Sequence, residues 1–133
     1  MQGVLILAIS IHVLTATFWA GTTFVLARTG GQNSRQLFGP QMGAASFAIL
    51  SGSYLWHVLH EGSFGTGEKW LATGAASALI ALVIQATLVG SALRRIRKSG
   101  SDPRAEARIV IAQRVSALLL AITVVAMAAS RFA

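Results

Sequence analysis

The chain contains no cysteine, only two prolines and few charges, with Lys, Arg, Asp and Glu making up 11% of its 133 residues. The absence of cysteine excludes disulfide bonds, thiolate metal sites and covalent attachment of a c-type haem. The scarcity of charge, beside a hydrophobic content of 54%, excludes an ordinary soluble domain. The composition is typical of a membrane protein.

Four long stretches contain almost no charged residue. Lys, Arg, Asp and Glu are absent from residues 1–27, 36–59 and 70–93, and Arg114 is the only one between residues 109 and 130. A bilayer core of about 30 Å needs roughly 20 apolar residues per helix, and each stretch has about that length. We therefore expect an all-α, integral membrane four-helix bundle that forms a single domain over residues 1–133. The expected helices cover about 4–27, 40–60, 70–95 and 103–130.

The first stretch is expected to be a helix of the mature protein, not a cleaved signal peptide. A signal peptide has a basic start, a short apolar core and a cleavage site of small residues. Residues 1–27, MQGVLILAISIHVLTATFWAGTTFVLA, have no basic side chain at their start, and their apolar stretch is longer.

The loops between the stretches differ in charge. The first, RTGGQNSRQ (28–36), has two arginines and no acid, and the third, RRIRKSGSDPRAEAR (94–108), has six basic and two acidic residues. The second, HEGSFGTGEK (60–69), has two glutamates and one lysine. Loops one and three lie on the same side of a four-helix protein, so the positive-inside rule places them in the cytoplasm. We expect a multi-pass protein of the bacterial inner (plasma) membrane, N-out/C-out.

The net charge of +7 follows from this loop pattern. It indicates topology and a lipid bilayer as the partner, and we expect no nucleic-acid binding.

The helix limits follow from breaker and capping residues. Pro40 suits the first turn of helix two, and Ser101 or Asp102 suits the N-cap of helix four, with Pro103 just inside. Arg114 is expected to extend its guanidinium back to the cytoplasmic interface. Helix three is dense in Gly, Ala and Ser, which let membrane helices approach closely, so we expect it at the centre of the bundle.

The three histidines are far apart in sequence but close in expected depth. His12 lies about 12 Å into helix one from its outer end, at 1.5 Å per residue. His57 lies about 5 Å below the outer end of helix two, and His60 lies at that end. All three imidazoles are therefore expected in the outer half of the membrane.

Small and polar residues share the helix faces of two of these histidines. The His57 face contains Gly43, Ser46, Leu50 and Ser53. The His12 face contains Ala8, Thr15, Ala16, Trp19 and Thr22. Such stripes in membrane helices face protein, so we expect His12 and His57 to point towards each other inside the bundle.

Two facing imidazoles would suit haem b. Iron takes one neutral imidazole nitrogen from each side, and the apolar macrocycle needs a slot lined by small residues such as Ser53. The propionates would lie towards the outer surface, where Lys69 or Arg131 could meet them.

A copper or zinc ion is the alternative occupant. His57 and His60 are three residues apart and can converge on one ion, which His12 or Glu61 could complete. A simpler interpretation is that a membrane histidine only hydrogen-bonds to a neighbouring Ser or Thr across the helices, and that His60 is an interfacial residue with no partner.

A family resemblance adds to these readings. In residues 12–28, HVLTATFWAGTTFVLAR, a His is followed seven residues later by Trp and then by Gly. This segment resembles the opening helix of a set of small bacterial membrane proteins that includes the CopD-like copper-resistance domain and the HemJ-type protoporphyrinogen oxidases. Residues 69–88, KWLATGAASALIALVIQATL, are similar to the third-helix entry of that set. The HemJ side implies haem binding by His12, and the CopD side implies copper handling on the extracytoplasmic side.

One departure from the HemJ pattern concerns a lysine inside the third helix, shortly after the Trp-Leu pair. Residues 72–77 of this chain are ATGAAS, and the nearest lysine, Lys69, precedes the Trp. This departure counts against carrying the porphyrinogen oxidase activity over to this chain.

Three functions therefore follow as expectations. The first is a haem-b redox or electron-transfer protein, an oxidoreductase in that broad sense, that exchanges electrons with a quinol or a periplasmic partner. The second is a copper-binding or copper-transport protein, and the third is a cofactor-free subunit of a membrane complex. Trp19, Trp56 and Trp70 are expected to line or flank the site, although interfacial anchoring is the commoner role of the last two. Gly- and Ala-rich faces make a homodimer plausible.

Overall fold

The computed structural model describes residues 2–31, 33–59, 65–100 and 102–132. These residues form four long helices, each long and apolar enough to cross a membrane. They are α1 (Gln2–Arg28), α2 (Ser34–Leu59), α3 (Thr66–Ser99) and α4 (Pro103–Ala129). The prediction of an all-helical chain with four helices of membrane length is confirmed.

The helices pack as an up-and-down arrangement in which α1 contacts both α2 and α4, and α3 packs along α4. Along the first pair, His12 lies beside Ala48 while Thr23 lies beside Gln41, so α1 and α2 are antiparallel. The basic loop residues therefore gather at one end of the bundle. This basic end carries Arg28, Arg35 and the basic residues of 94–108.

Alanine dominates the core. One buried cluster surrounds Trp19 and Leu120 and is otherwise alanine, at positions 45, 48, 78 and 81. A second cluster lies nearer the basic end and joins α3 to the start of α4. Small side chains bring the backbones close, as at Gly74, where an added Cβ would lie 3.2 Å from the Thr123 carbonyl oxygen.

The most buried helix is α4, whereas the prediction placed helix three at the centre. The small residues of α3 cover only one of its faces, where Gly74, Ser77 and Ala81 are buried, while Ile80 and Val83 on the other face are exposed. Because α4 packs against α3 on one side and α1 on the other, more of its surface is covered.

The helix ends match the capping chemistry at α4 but not at α2. The carboxylate of Asp102 accepts hydrogen bonds from the backbone N–H groups of Arg104 and Ala105, at 3.0 and 3.4 Å, and Pro103 is the first helical residue. The predicted start of α2 at Pro40 is wrong, because the helix begins at Ser34. Pro40 lies inside the helix on an exposed face, where its missing N–H leaves a carbonyl one turn earlier without its helical partner.

One turn of α3, Gln85–Val89, is a π-helix between the α-helical segments Thr66–Ile84 and Gly90–Ser99. Such a turn inserts an extra residue and changes the direction of the side chains that follow. Gln85, its first residue, is fully buried.

Candidate functional site

His12 lies in the interface between α1 and α2 and is partly buried. Its Nδ1 lies 2.8 Å from the Ala48 carbonyl oxygen and 3.2 Å from Ser51 Oγ. A carbonyl oxygen only accepts, so Nδ1 must carry the proton. The Ser51 hydroxyl donates to the Phe47 carbonyl oxygen at 2.6 Å, which leaves its lone pairs for the same imidazole N–H.

This hydrogen bonding defines the chemistry of the imidazole. With the proton on Nδ1, the neutral ring has its lone pair on Nε2. Metal-ligating histidines almost always donate their other ring N–H to a carboxylate, a backbone carbonyl or a water, which fixes the tautomer and the ring orientation. His12 is therefore chemically suited to bind a metal through Nε2.

Gly52 gives His12 its position. A Cβ added at Gly52 would lie 2.9 Å from His12 Cε1 and 3.3 Å from Nδ1, closer than side chains tolerate. The imidazole thus packs directly on the backbone of α2. The face predicted for His12 agrees with this placement, since Ala8, Thr15 and Ala16 are partly covered and Trp19 is buried.

His57 does not face His12, contrary to the prediction. The His57 side chain is exposed, and so are Ser53, Leu50 and Ser46 on its stripe. His57 is five residues beyond Gly52, which places it about 8 Å further along α2 and about 140° around its axis. The buried face of α2 contains instead Ser34, Gln41, Ala45 and Ala48.

The serines of the exposed stripe need no protein partner. Ser46 and Ser53 donate their hydroxyls to the carbonyl oxygens of Met42 and Ile49, at 2.9 and 2.8 Å. A serine bonded in this way to its own helix is satisfied within the apolar phase. Polarity alone therefore did not identify the buried face.

The copper alternative depends on residues outside the described part of the chain, namely His60 and Glu61. Within the described part, no group of three or more His, Cys, Asp or Glu side chains could hold a metal ion.

Lys69 and Arg131, predicted near the haem propionates, are exposed at the end of the bundle opposite to the basic end. A cleft of about 640 Å³ lies there between α3 and α4, and the described residues that line it include Arg131 but no histidine.

Of the tryptophans predicted to flank the site, Trp56 is half-buried and Trp70 is exposed. Trp19 is only 2% exposed, and its Nε1 donates to Gln85 Oε1 at 2.7 Å. It belongs to a second polar group that the sequence reasoning missed.

This second group, the amide cluster, consists of Trp19, Thr23, Gln41, Gln85 and Gln113. Three glutamines, one each from α2, α3 and α4, meet there around Thr23 of α1, and these four side chains are 0% exposed. The Gln85 amide nitrogen donates to Thr23 Oγ1 at 2.9 Å and to Gln113 Oε1 at 3.2 Å. The Gln41 amide nitrogen donates to Thr23 Oγ1 at 2.8 Å and lies 3.5 Å from Gln113 Oε1.

The indole fixes the orientation of these amides. Trp19 Nε1 can only donate, so the oxygen of Gln85 must face it and the nitrogen must face Thr23 and Gln113. Gln113 then presents its oxygen to Gln85. Thr23 donates its own hydrogen to the Trp19 carbonyl oxygen at 2.7 Å, so it accepts from Gln41.

A sequence signal for this cluster exists. Gln41, Gln85 and Gln113 each lie within a long apolar stretch, where an amide needs a partner that lipid cannot provide. Arg114, the neighbour of Gln113, is exposed, and its Nε donates to the Ala27 carbonyl oxygen at 3.4 Å. That its guanidinium reaches the cytoplasmic interface stays a prediction.

Comparison of the chain with family models, with curated proteins and with solved structures finds no match in any of the three. The geometry of His12 and of the amide cluster is therefore the basis for any assignment.

Proposed function

We propose that this protein is an integral membrane haem-b-binding protein that transfers electrons, in which His12 would hold the haem iron through Nε2. The observation that supports this most is the hydrogen bond from His12 Nδ1 to the Ala48 carbonyl oxygen, which in the neutral imidazole leaves Nε2 with its lone pair. Haem bound by a histidine supplies one-electron chemistry.

The surroundings of His12 support the proposal. Ala8, Ala16, Ala48 and Gly52 on α1 and α2 present little side-chain bulk near the imidazole, as a flat macrocycle requires. The resemblance of residues 12–28 to HemJ-type proteins points to the same histidine. Within one subunit, His57 is not proposed as the second haem ligand, because the His57 side chain lies on the exposed face of α2.

The orientation is part of the proposal. The basic end would lie in the cytoplasm of a bacterium, with both termini outside. His12 lies ten residues after the first residue of α1, about 15 Å along the helix axis from its outer end. A quinol in the bilayer or a periplasmic redox protein would then be the electron-transfer partner.

The test is an optical spectrum of the purified protein after expression with ample haem, as isolated and after reduction with dithionite. We expect sharp reduced α and Soret bands in the wild type and in His57→Ala, and their loss in His12→Ala. His57→Ala is the matched control, because it removes an imidazole of the same bundle that lies on an exposed face.

Bands that survive in His12→Ala would refute the assignment of the ligand. A wild-type protein that is folded and has no haem bands would refute haem binding altogether. A copper titration would then separate the copper-binding function from that of a cofactor-free subunit.

A further inference from the structure

The amide cluster lies apart from His12 and contains hydrogen-bonding atoms without partners. Among the described residues, four buried side-chain atoms have no hydrogen-bond partner. Two belong to the amide cluster, Gln41 Oε1 and Gln113 Nε2, and two are serine hydroxyls outside it, Ser34 Oγ and Ser116 Oγ. Each of these side chains is at most 1% exposed. An unpaired polar atom in the core of a membrane protein is costly, because neither lipid nor bulk water can satisfy it.

The four side chains lie at successive levels of α2 and α4. Ser34 begins α2 at the basic end, and its backbone N–H donates to the Gly31 carbonyl oxygen at 3.1 Å. Gln41 is seven residues later, two turns along the same face and about 10 Å deeper. The Gln41 amide nitrogen lies 3.5 Å from Gln113 Oε1, and Ser116 is about one turn further along α4.

The chemistry of these atoms selects their ligand. The Gln41 oxygen can only accept, the Gln113 nitrogen can only donate, and the two serine hydroxyls can do both. An anion would need donors and a cation would need acceptors, whereas this set fits a neutral molecule that both donates and accepts. The small size of the serines and the complete burial of the glutamines favour the smallest such molecule, water.

We propose that Ser34, Gln41, Gln113 and Ser116 bind internal water molecules, which form a hydrated path from the basic end of the bundle to the level of Trp19. The bonds within the amide cluster hold Gln41 and Gln113 so that their remaining amide atoms are directed to this water. Gln85, the first residue of the π-helical turn of α3, orients Gln113 by donating to its Oε1. This inference does not depend on haem binding, and its test contains no haem.

The test is X-ray hydroxyl-radical footprinting of the full chain in detergent, in which bound water generates radicals next to it. We expect oxidation of Trp19 in the wild type although only 2% of its surface is exposed, and loss of that oxidation in the double variant Gln41→Met/Gln113→Met. Exposed Trp70 measures the dose, and Gln36→Met, on the exposed surface of α2, is the matched control.

A second variant keeps the test decisive if the double variant does not fold. Ser116→Ala leaves every hydrogen bond of the amide cluster in place. If Ser116 binds water, the substitution lowers the thermal midpoint, since a bond is lost. If the Ser116 hydroxyl binds no water, the substitution raises the thermal midpoint. A buried hydroxyl without a hydrogen-bond partner is then removed, and Ala has the higher helix propensity. Trp19 that stays unoxidised in the wild type, or a raised midpoint in Ser116→Ala, would overturn the proposal.

Discussion

At the scale of single residues, His12 is defined by what its Nδ1 contacts. The Ala48 carbonyl oxygen and the Ser51 hydroxyl both accept from this nitrogen, and Gly52 lets the ring pack on the helix backbone. A histidine in an apolar helix could have been held through either nitrogen. Because Nδ1 makes the hydrogen bonds here, Nε2 is the nitrogen that could bind a metal in the neutral ring.

Gly52→Ala tests this packing. In an exposed helix, Ala in place of Gly stabilises by about 1 kcal/mol. At Gly52 the new methyl group would meet the imidazole at 2.9 Å, so His12 must move and its bond to Ala48 must weaken. We expect no gain in thermal midpoint and a loss of haem affinity.

The control for this prediction is Gly43→Ala on the same helix, where an added Cβ meets nothing within 4 Å. Its thermal midpoint should rise and its haem affinity should be unchanged. Equal stabilisation by the two substitutions would show that the imidazole does not pack on Gly52.

At the scale of elements, the sequence predicts that the four helices exist. It predicts which face is buried for α1 but not for α2. The apolar stretches predict four helices because a bilayer demands about 20 such residues for each crossing. The His12 face was predicted correctly because bulky Trp19 and the threonines near it lie on one side of α1. On α2, both faces are small and polar: the stripe with Ser46 and Ser53 is exposed, while the stripe with Gln41 is buried.

The amide cluster could not be assembled from sequence for a different reason. The depth of each glutamine can be estimated by counting residues, but the π-helical turn that begins at Gln85 changes the direction of the side chains that follow it on α3. No residue type in Gln85–Val89 predicts a π-helical turn. The contacts of three helices, which only the fold supplies, are needed to bring the amides together.

Gln85→Met tests the contribution of the amide cluster to stability. The substitution removes three hydrogen bonds, to Trp19, Thr23 and Gln113. At about 0.6 kcal/mol for each bond inside a membrane bundle, the loss is about 2 kcal/mol. We expect a clearly lower thermal midpoint in detergent, with Gln36→Met as the neutral surface control. A Gln85→Met protein as stable as the wild type would mean that the cluster contributes nothing to folding.

At the scale of the whole molecule, the charge distribution defines one basic end. The positive-inside rule predicts that this end faces the cytoplasm. The chain has no cysteine, so single introduced thiols report on sidedness without background.

Ser99→Cys and Thr66→Cys test the orientation, since they lie at opposite ends of α3 and both side chains are exposed. A membrane-impermeant thiol reagent should label Thr66→Cys in intact spheroplasts and label Ser99→Cys only after permeabilisation. The reverse pattern would place the basic end outside.

The most direct test of the central claim, that His12 Nε2 is a haem ligand, is nitrogen-15 NMR of histidine-labelled protein before and after haem addition. With only three histidines in the chain, each ring can be assigned by substitution. Before haem is added, we predict that His12 carries its proton on Nδ1 and none on Nε2. After addition, the His12 Nε2 signal should be lost to the iron while the His57 signals remain. A His12 ring protonated on Nε2, or a His12 signal unchanged when haem binds, would contradict this account.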